Sequence, residues 1–135
     1  MCVLHIQIDS DDLDLILEST RLPIYQVYRK GEKHKHRKDL VFETNLISCD
    51  VSDKDWCNFE GQTSDIINFL EKHHIDLQRI KDNFEHIDWK FDLPYYCRLD
   101  ENTINQNDFL SPKLLFLSGR LGIGINLALY QPEED

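Results

Sequence analysis

The sequence predicts an α+β domain, a mainly antiparallel sheet of about five to six strands with two to three helices packed on one face. Two periodicities carry that expectation. Residues 2–9, 86–93 and 123–130 alternate their side chains with the period of a strand, whereas residues 13–17 and 66–74 repeat apolar positions with the period of a helix. The third observation is size. At 135 residues, 41% apolar and 30% charged, the chain can close one core of ordinary size and is too short for two, so residues 1–135 read as a single domain.

The first strand is Cys2 to Asp9, with Leu4, Ile6 and Ile8 on one side and Val3, His5 and Gln7 on the other. Asp9 or Ser10 then caps a helix running to about Thr20, whose Leu13, Ile16 and Leu17 form one apolar stripe, and Pro23 prevents its continuation. Ile24 to Arg29 reads as a second strand, closed by the turn at Lys30-Gly31-Glu32. Leu40 to Val51 reads as a third, from its length and its β-branched and aromatic content. Thr63 or Ser64 caps a second helix through Ile66, Ile67, Leu70, His73 and His74, with a further helical turn from about Leu77 to Asn83.

Residues His86 to Leu93 set Ile87, Trp89, Phe91 and Leu93 against Asp88, Lys90 and Asp92, a strand with one buried and one wet face, extended to Leu99 after a kink at Pro94. Asp100 to Asp108 is loop by composition. Ser111-Pro112 supplies a cap and a first-turn proline for a short apolar helix ended by Gly119 or Gly122. Ile123, Ile125, Leu127 and Leu129 alternate with small or polar residues in a last strand, and 131–135 is an acidic tail.

Charge narrows the function more than motifs do. Twenty-five acids against fifteen Lys and Arg give a formal charge of −10, which repels nucleic acid at long range. Six of those cations (Arg29, Lys30, Lys33, Lys35, Arg37, Lys38) fall between Arg29 and Lys38 with one acid, Glu32, which leaves 24 acids and 9 bases in the rest of the chain, and residues 30–38 read as a basic loop. No apolar run approaches the roughly 20 residues that span a bilayer. The N-terminal residues Met1 to Ile6 lack a cationic secretory n-region, and Cys2, Cys49, Cys57 and Cys97 contain no C-x-x-C pair, so a cytoplasmic protein with reduced thiols is expected.

Several constellations point to chemistry and fall short of it. The acids at 9, 11, 12 and 14 lack the central Gly and terminal Glu of a calcium loop and read as helix capping. His34 and His36 sit among cations that repel a metal, and adjacent His73 and His74 do not converge on one. Gly119-x-x-Gly122-x-Gly124 follows a helix and opens a strand, the reverse of a phosphate loop. No nucleophile elbow or local Cys-His signature is present. Catalytic residues, a metal and a cofactor are therefore all expected to be absent.

The N-terminal strand with its Asp11-Asp12-Leu13…Ile16 helix, the Leu22-Pro23 step into Val27-Tyr28-Arg29-Lys30-Gly31-Glu32, and the closing Leu110-Ser111-Pro112-Lys113-Leu114-Leu115…Gly122…Ile125-Asn126-Leu127…Tyr130 resemble a bacterial domain-of-unknown-function family, the DUF4279-like small α+β domains. The resemblance implies a similar fold, supplies no catalytic residues, and by analogy implies an immunity or regulatory role.

The leading expectation is a non-enzymatic bacterial binding protein, an immunity- or antitoxin-type inhibitor that neutralises a basic toxin such as a nuclease through an acidic surface. Asp50, Asp53, Asp55 and Glu60 would meet the partner's cations, with Trp56 and Phe59 as aromatic anchors. The alternative is a small-molecule or regulatory binding domain, homodimeric through an exposed strand edge, with an anion contacted by Lys33, Lys35 and Arg37.

Overall fold

The computed structural model describes residues 1–133. Nine elements follow one another: β1 (Cys2–Ile8), α1 (Leu13–Ser19), β2 (Ile24–Tyr28), β3 (Asn45–Ser52), α2 (Phe59–Lys72), α3 (His74–Asn83), β4 (Ile87–Tyr96), α4 (Pro112–Gly119) and β5 (Gly124–Tyr130). The strands form one sheet in the order β2-β3-β1-β4-β5. Three of its pairings are antiparallel, and β4 with β5 is parallel, joined by the crossover through α4. The α+β architecture is as expected, with five strands in a mixed sheet and four helices where two to three are expected.

Register explains which side is covered. Leu4 lies between Cys49 and Phe91, and Ile6 between Ile47 and Trp89, so these side chains share one face with Leu93 and Tyr95. That face joins Leu13 and Ile16 of α1, Ile66, Phe69 and Leu70 of α2, Leu77 and Ile80 of α3, and Leu114 and Leu117 of α4 in one core. All four helices therefore bury their apolar stripes on the same side. The opposite face carries Val3, His5, Gln7, Leu46, Ser48, Asp50, Lys90, Asp92 and Tyr96, and none of the four helices covers it.

Local chemistry sets the boundaries. The helix α1 begins at Leu13, after Ser10 Oγ accepts the Asp12 N–H at 3.1 Å, so the acids at 11 and 12 precede the helix. The cap of α2 is Asn58, whose side chain accepts the Gly61 N–H at 2.9 Å, ahead of the Thr63 or Ser64 expected to do so. The helix α4 does start with a Ser111 cap and a Pro112 first turn, and Gly122, at φ +72°, turns the chain so that Ile123 N–H reaches the Ser118 carbonyl at 3.0 Å.

The third strand corrects the expected Leu40–Val51. It begins at Asn45, because residues 31–42 close on themselves: Gly31 N–H donates to Phe42 O, Phe42 N–H to Glu32 O, and His34 N–H to Leu40 O, around an isolated bridge between Lys33 and Val41. The apolar residues of that stretch serve this flap, not the sheet. Buried Asn45 then anchors the start of β3, donating from Nδ2 to Ser10 O at 2.7 Å and accepting the Lys30 N–H at 2.9 Å. Of the acidic tail expected at 131–135, residues 131–133 carry no regular structure and the remainder lies outside the described residues.

Candidate functional site

The uncovered face of the sheet is where the chain's distinctive residues gather. At its centre His5 sits beside Ser48 on one flank and Lys90 on the other. His5 Nδ1 and Ser48 Oγ share a hydrogen bond of 2.9 Å. Burial holds His5 below the ordinary imidazole range, against the opposing pull of Asp92, so at neutral pH the ring is uncharged. Burial likewise pushes the Tyr25 phenol up. The Ser48–His5 contact has the form of half a nucleophile–base pair, but Ser48 is only 1% exposed and a substrate carbonyl has no approach to it.

Two aromatic clusters bound this face. At the β2 end Phe42 stacks on Tyr28 with ring centroids 4.4 Å apart, and His34 stacks on Phe42 at 4.0 Å, so the flap is pinned to the sheet by three rings. At the β5 end Trp56 leans on Tyr96 and Tyr130, at 5.4 and 4.7 Å, while its carbonyl accepts the Tyr96 N–H. Between them lie the carboxylates of Asp50, Asp88 and Asp92 on the pleat shared with His5.

The six residues expected to bind a partner divide accordingly. Asp50 is exposed on the open face, Asp53 and Asp55 are exposed in the connection that delivers Trp56, and Trp56 is half-buried. Phe59 is not available as a surface anchor. It opens α2 and packs edge-on against Tyr95 at 4.9 Å within the core, because the first turn of that helix faces the covered side. Glu60 lies on the same turn and lines a separate groove with Cys57, Arg98 and Asp108, where Arg98 and Asp108 pair at 2.6 Å. The open-face aromatics Tyr25, Tyr28, Tyr96 and Tyr130 escape sequence reading, because a tyrosine in a strand reads as propensity until the register shows which side it takes.

Lys33, Lys35 and Arg37 are exposed on the flap, and none forms an ion pair among the described residues. Arg29 and Lys30, at its base, are instead held by Asp14 at 2.7 Å and Asp9 at 2.9 Å. The acids at the start of α1 thus tether the basic segment. Among the described residues no group of three or more His, Cys, Asp or Glu could hold a metal ion, and no helix is long and apolar enough to cross a membrane. Cys97 and His86 flank opposite ends of β4, so they form no catalytic pair. Burial pushes the thiols of Cys2 and Cys49 up to about 12, which leaves them protonated and inert.

Compared with protein-family models, with curated proteins and with solved structures, the chain finds no match in any of the three.

Proposed function

We propose that the chain is a non-enzymatic binding protein of the immunity or antitoxin type, which holds a basic protein partner against the helix-free face of its sheet. The observation that carries this reading is the gathering of Tyr25, Tyr96, Tyr130 and Trp56 with Asp50, Asp88 and Asp92 on the one face that no helix covers. Large amphipathic rings supply contact area at low entropic cost, and carboxylates around them steer a cationic partner and fix its register. With a net charge of −10 the whole chain favours that encounter at long range. Inhibition then needs no chemistry: covering a nuclease's cationic substrate groove is enough.

The test is site-specific photocrosslinking in the cell of origin. A photoreactive residue at Tyr25 is expected to trap one basic protein, while the same residue at Ile75, exposed on the helical side, traps none. Crosslinking from Ile75 alone, or of an acidic partner at Tyr25, overturns the reading.

A second reading is favoured by one observation, the unpaired side chains of Lys33, Lys35 and Arg37 on a flap held in shape by the Tyr28–Phe42–His34 stack. Three cations on an ordered hairpin suit an anionic ligand. Thermal-shift titration with anionic metabolites and inorganic phosphate tests it: a shift abolished by K33Q and R37Q supports it, and no shift with any anion removes it.

A further inference from the structure

The two edges of the sheet are not alike. The outer edge at β2 is only five residues long, is preceded by Pro23, breaks register between Ile24 and Gln26, and runs into Arg29 and Lys30. Each of these blunts an edge against pairing. The edge at β5 is longer and regular: Gly124–Tyr130 runs seven residues without a charge, a proline or a register shift, and Pro132 and Glu133 come only after its end, in a chain that is 30% charged.

The direction of its free hydrogen bonds follows from one contact. Tyr130 O accepts the Cys97 N–H on the β4 side, so Ala128 and Asn126 also bond toward β4, and the main chains of Ile125, Leu127 and Leu129 point outward. Their side chains share the pleat of Phe91, Leu93 and Tyr95, yet Leu127 and Leu129 remain 44% and 54% exposed at the rim of the core. Above them Lys113 of α4 reaches across to Glu71 of α2, and Leu115, about 200° further round that helix, therefore faces the β5 side.

We propose that two copies of this chain pair antiparallel through β5, about a twofold axis at Leu127, into one continuous sheet. That register sets Leu127 against its own copy and Ile125 against Leu129, so every outward-pointing main chain meets another and about six hydrogen bonds form. It also brings together the exposed parts of Leu115, Leu127 and Leu129 of both copies, so that an apolar seam closes beside the paired backbones. The two acidic bodies repel each other, and β5 is a strip on which neither copy places a charge at the seam. Assembly stops at two, because the sheet then ends on both sides at a blunted β2.

Sedimentation equilibrium of the full chain, from low micromolar to submillimolar concentration, tests this. The expected mass rises to twice 16.0 kDa, and the dimer tightens as salt screens the repulsion of the two acidic bodies. Leu127→Lys is expected to raise the dissociation constant at least about tenfold, while Leu15→Lys, at a leucine 63% exposed on α1, leaves it unchanged. Amide exchange of the unmodified chain gives a readout that no variant can confuse: Ile125, Leu127 and Leu129 amides are protected at high concentration and released on dilution. A monomer at every concentration, or a dimer indifferent to Leu127→Lys with those three amides unprotected, overturns the proposal.

Discussion

Gln62 Nε2 donates to the Pro94 carbonyl at 2.8 Å, from a side chain that is completely buried. This contact explains how a proline sits inside β4. The ladder between β1 and β4 ends at Val3–Asp92, so at Pro94 no neighbouring strand needs an N–H on that side, and the carbonyl that β1 would have satisfied is taken by α2 instead. Gln62 thereby joins α2 directly to β4.

Gln62→Leu keeps the volume, leaves the Pro94 carbonyl without its donor, and is expected to lower unfolding stability by about 1–3 kcal/mol. Gln62→Glu is expected to cost more, since it buries a carboxylate beside that carbonyl. Urea unfolding of both variants checks the order; equal stability of all three proteins contradicts it.

Thiol reactivity should follow burial. Cys57 is exposed and Cys97 half-buried, whereas Cys2 and Cys49 are buried with thiols pushed up to about 12. Alkylation of the folded chain, read by mass spectrometry, is expected to modify Cys57 first and Cys97 second, with Cys2 and Cys49 reacting only once urea unfolds it. Early modification of Cys49 would show that the β3–β1 pair opens locally.

Acidification should destabilise the fold through its histidines. Burial lowers the pKa of both His5 and His73, while in the unfolded chain each protonates near the ordinary value of about 6.5. The unfolded state therefore binds more protons in that window, so stability present above about pH 6.5 is lost as pH falls through the depressed folded values. Urea midpoints measured on either side of that window are expected to drop, and His5→Gln to flatten part of the slope. An unchanged slope in that variant places the proton uptake elsewhere.

Trp56 and Trp89 should behave differently. Trp89 is 4% exposed in the core, and Trp56 lies half-buried on Tyr96 and Tyr130. Trp56→Ala is expected to weaken partner binding by at least about 2 kcal/mol, the range of a central aromatic anchor, with stability changed by less than that. Binding by isothermal titration and stability by urea, on the same variant, separate the two effects.

Much of the fold is legible in the sequence because its strongest signals are local. The alternation of Ile87, Trp89, Phe91 and Leu93 and the Ser111-Pro112 start of α4 each need only neighbours to be read, and each stands where expected. Leu40 to Phe42 read as strand because side-chain propensity is blind to partners: their main chains bond to Glu32 and His34, which composition marks only as loop. The site is less legible. Asp50, Asp53, Asp55 and Trp56 carry visible charge and ring, but Phe59, three residues beyond Trp56, turns inward on the first turn of α2, and a linear segment cannot show that divide. Tyr25, Tyr96 and Tyr130, some of them more than 70 residues apart, meet the acids only through strand order.

The most direct test of the open face as a partner-binding surface is competition between two sets of substitutions on one captured partner. Titrating that partner against D50N/D88N/D92N with Trp56→Ala, and separately against K33Q/K35Q/R37Q, compares the acidic–aromatic face with the basic flap. The first set is expected to abolish binding and the second to leave it within about twofold, with affinity falling as salt rises. Binding that survives the first set and is lost with the second would contradict the proposed function.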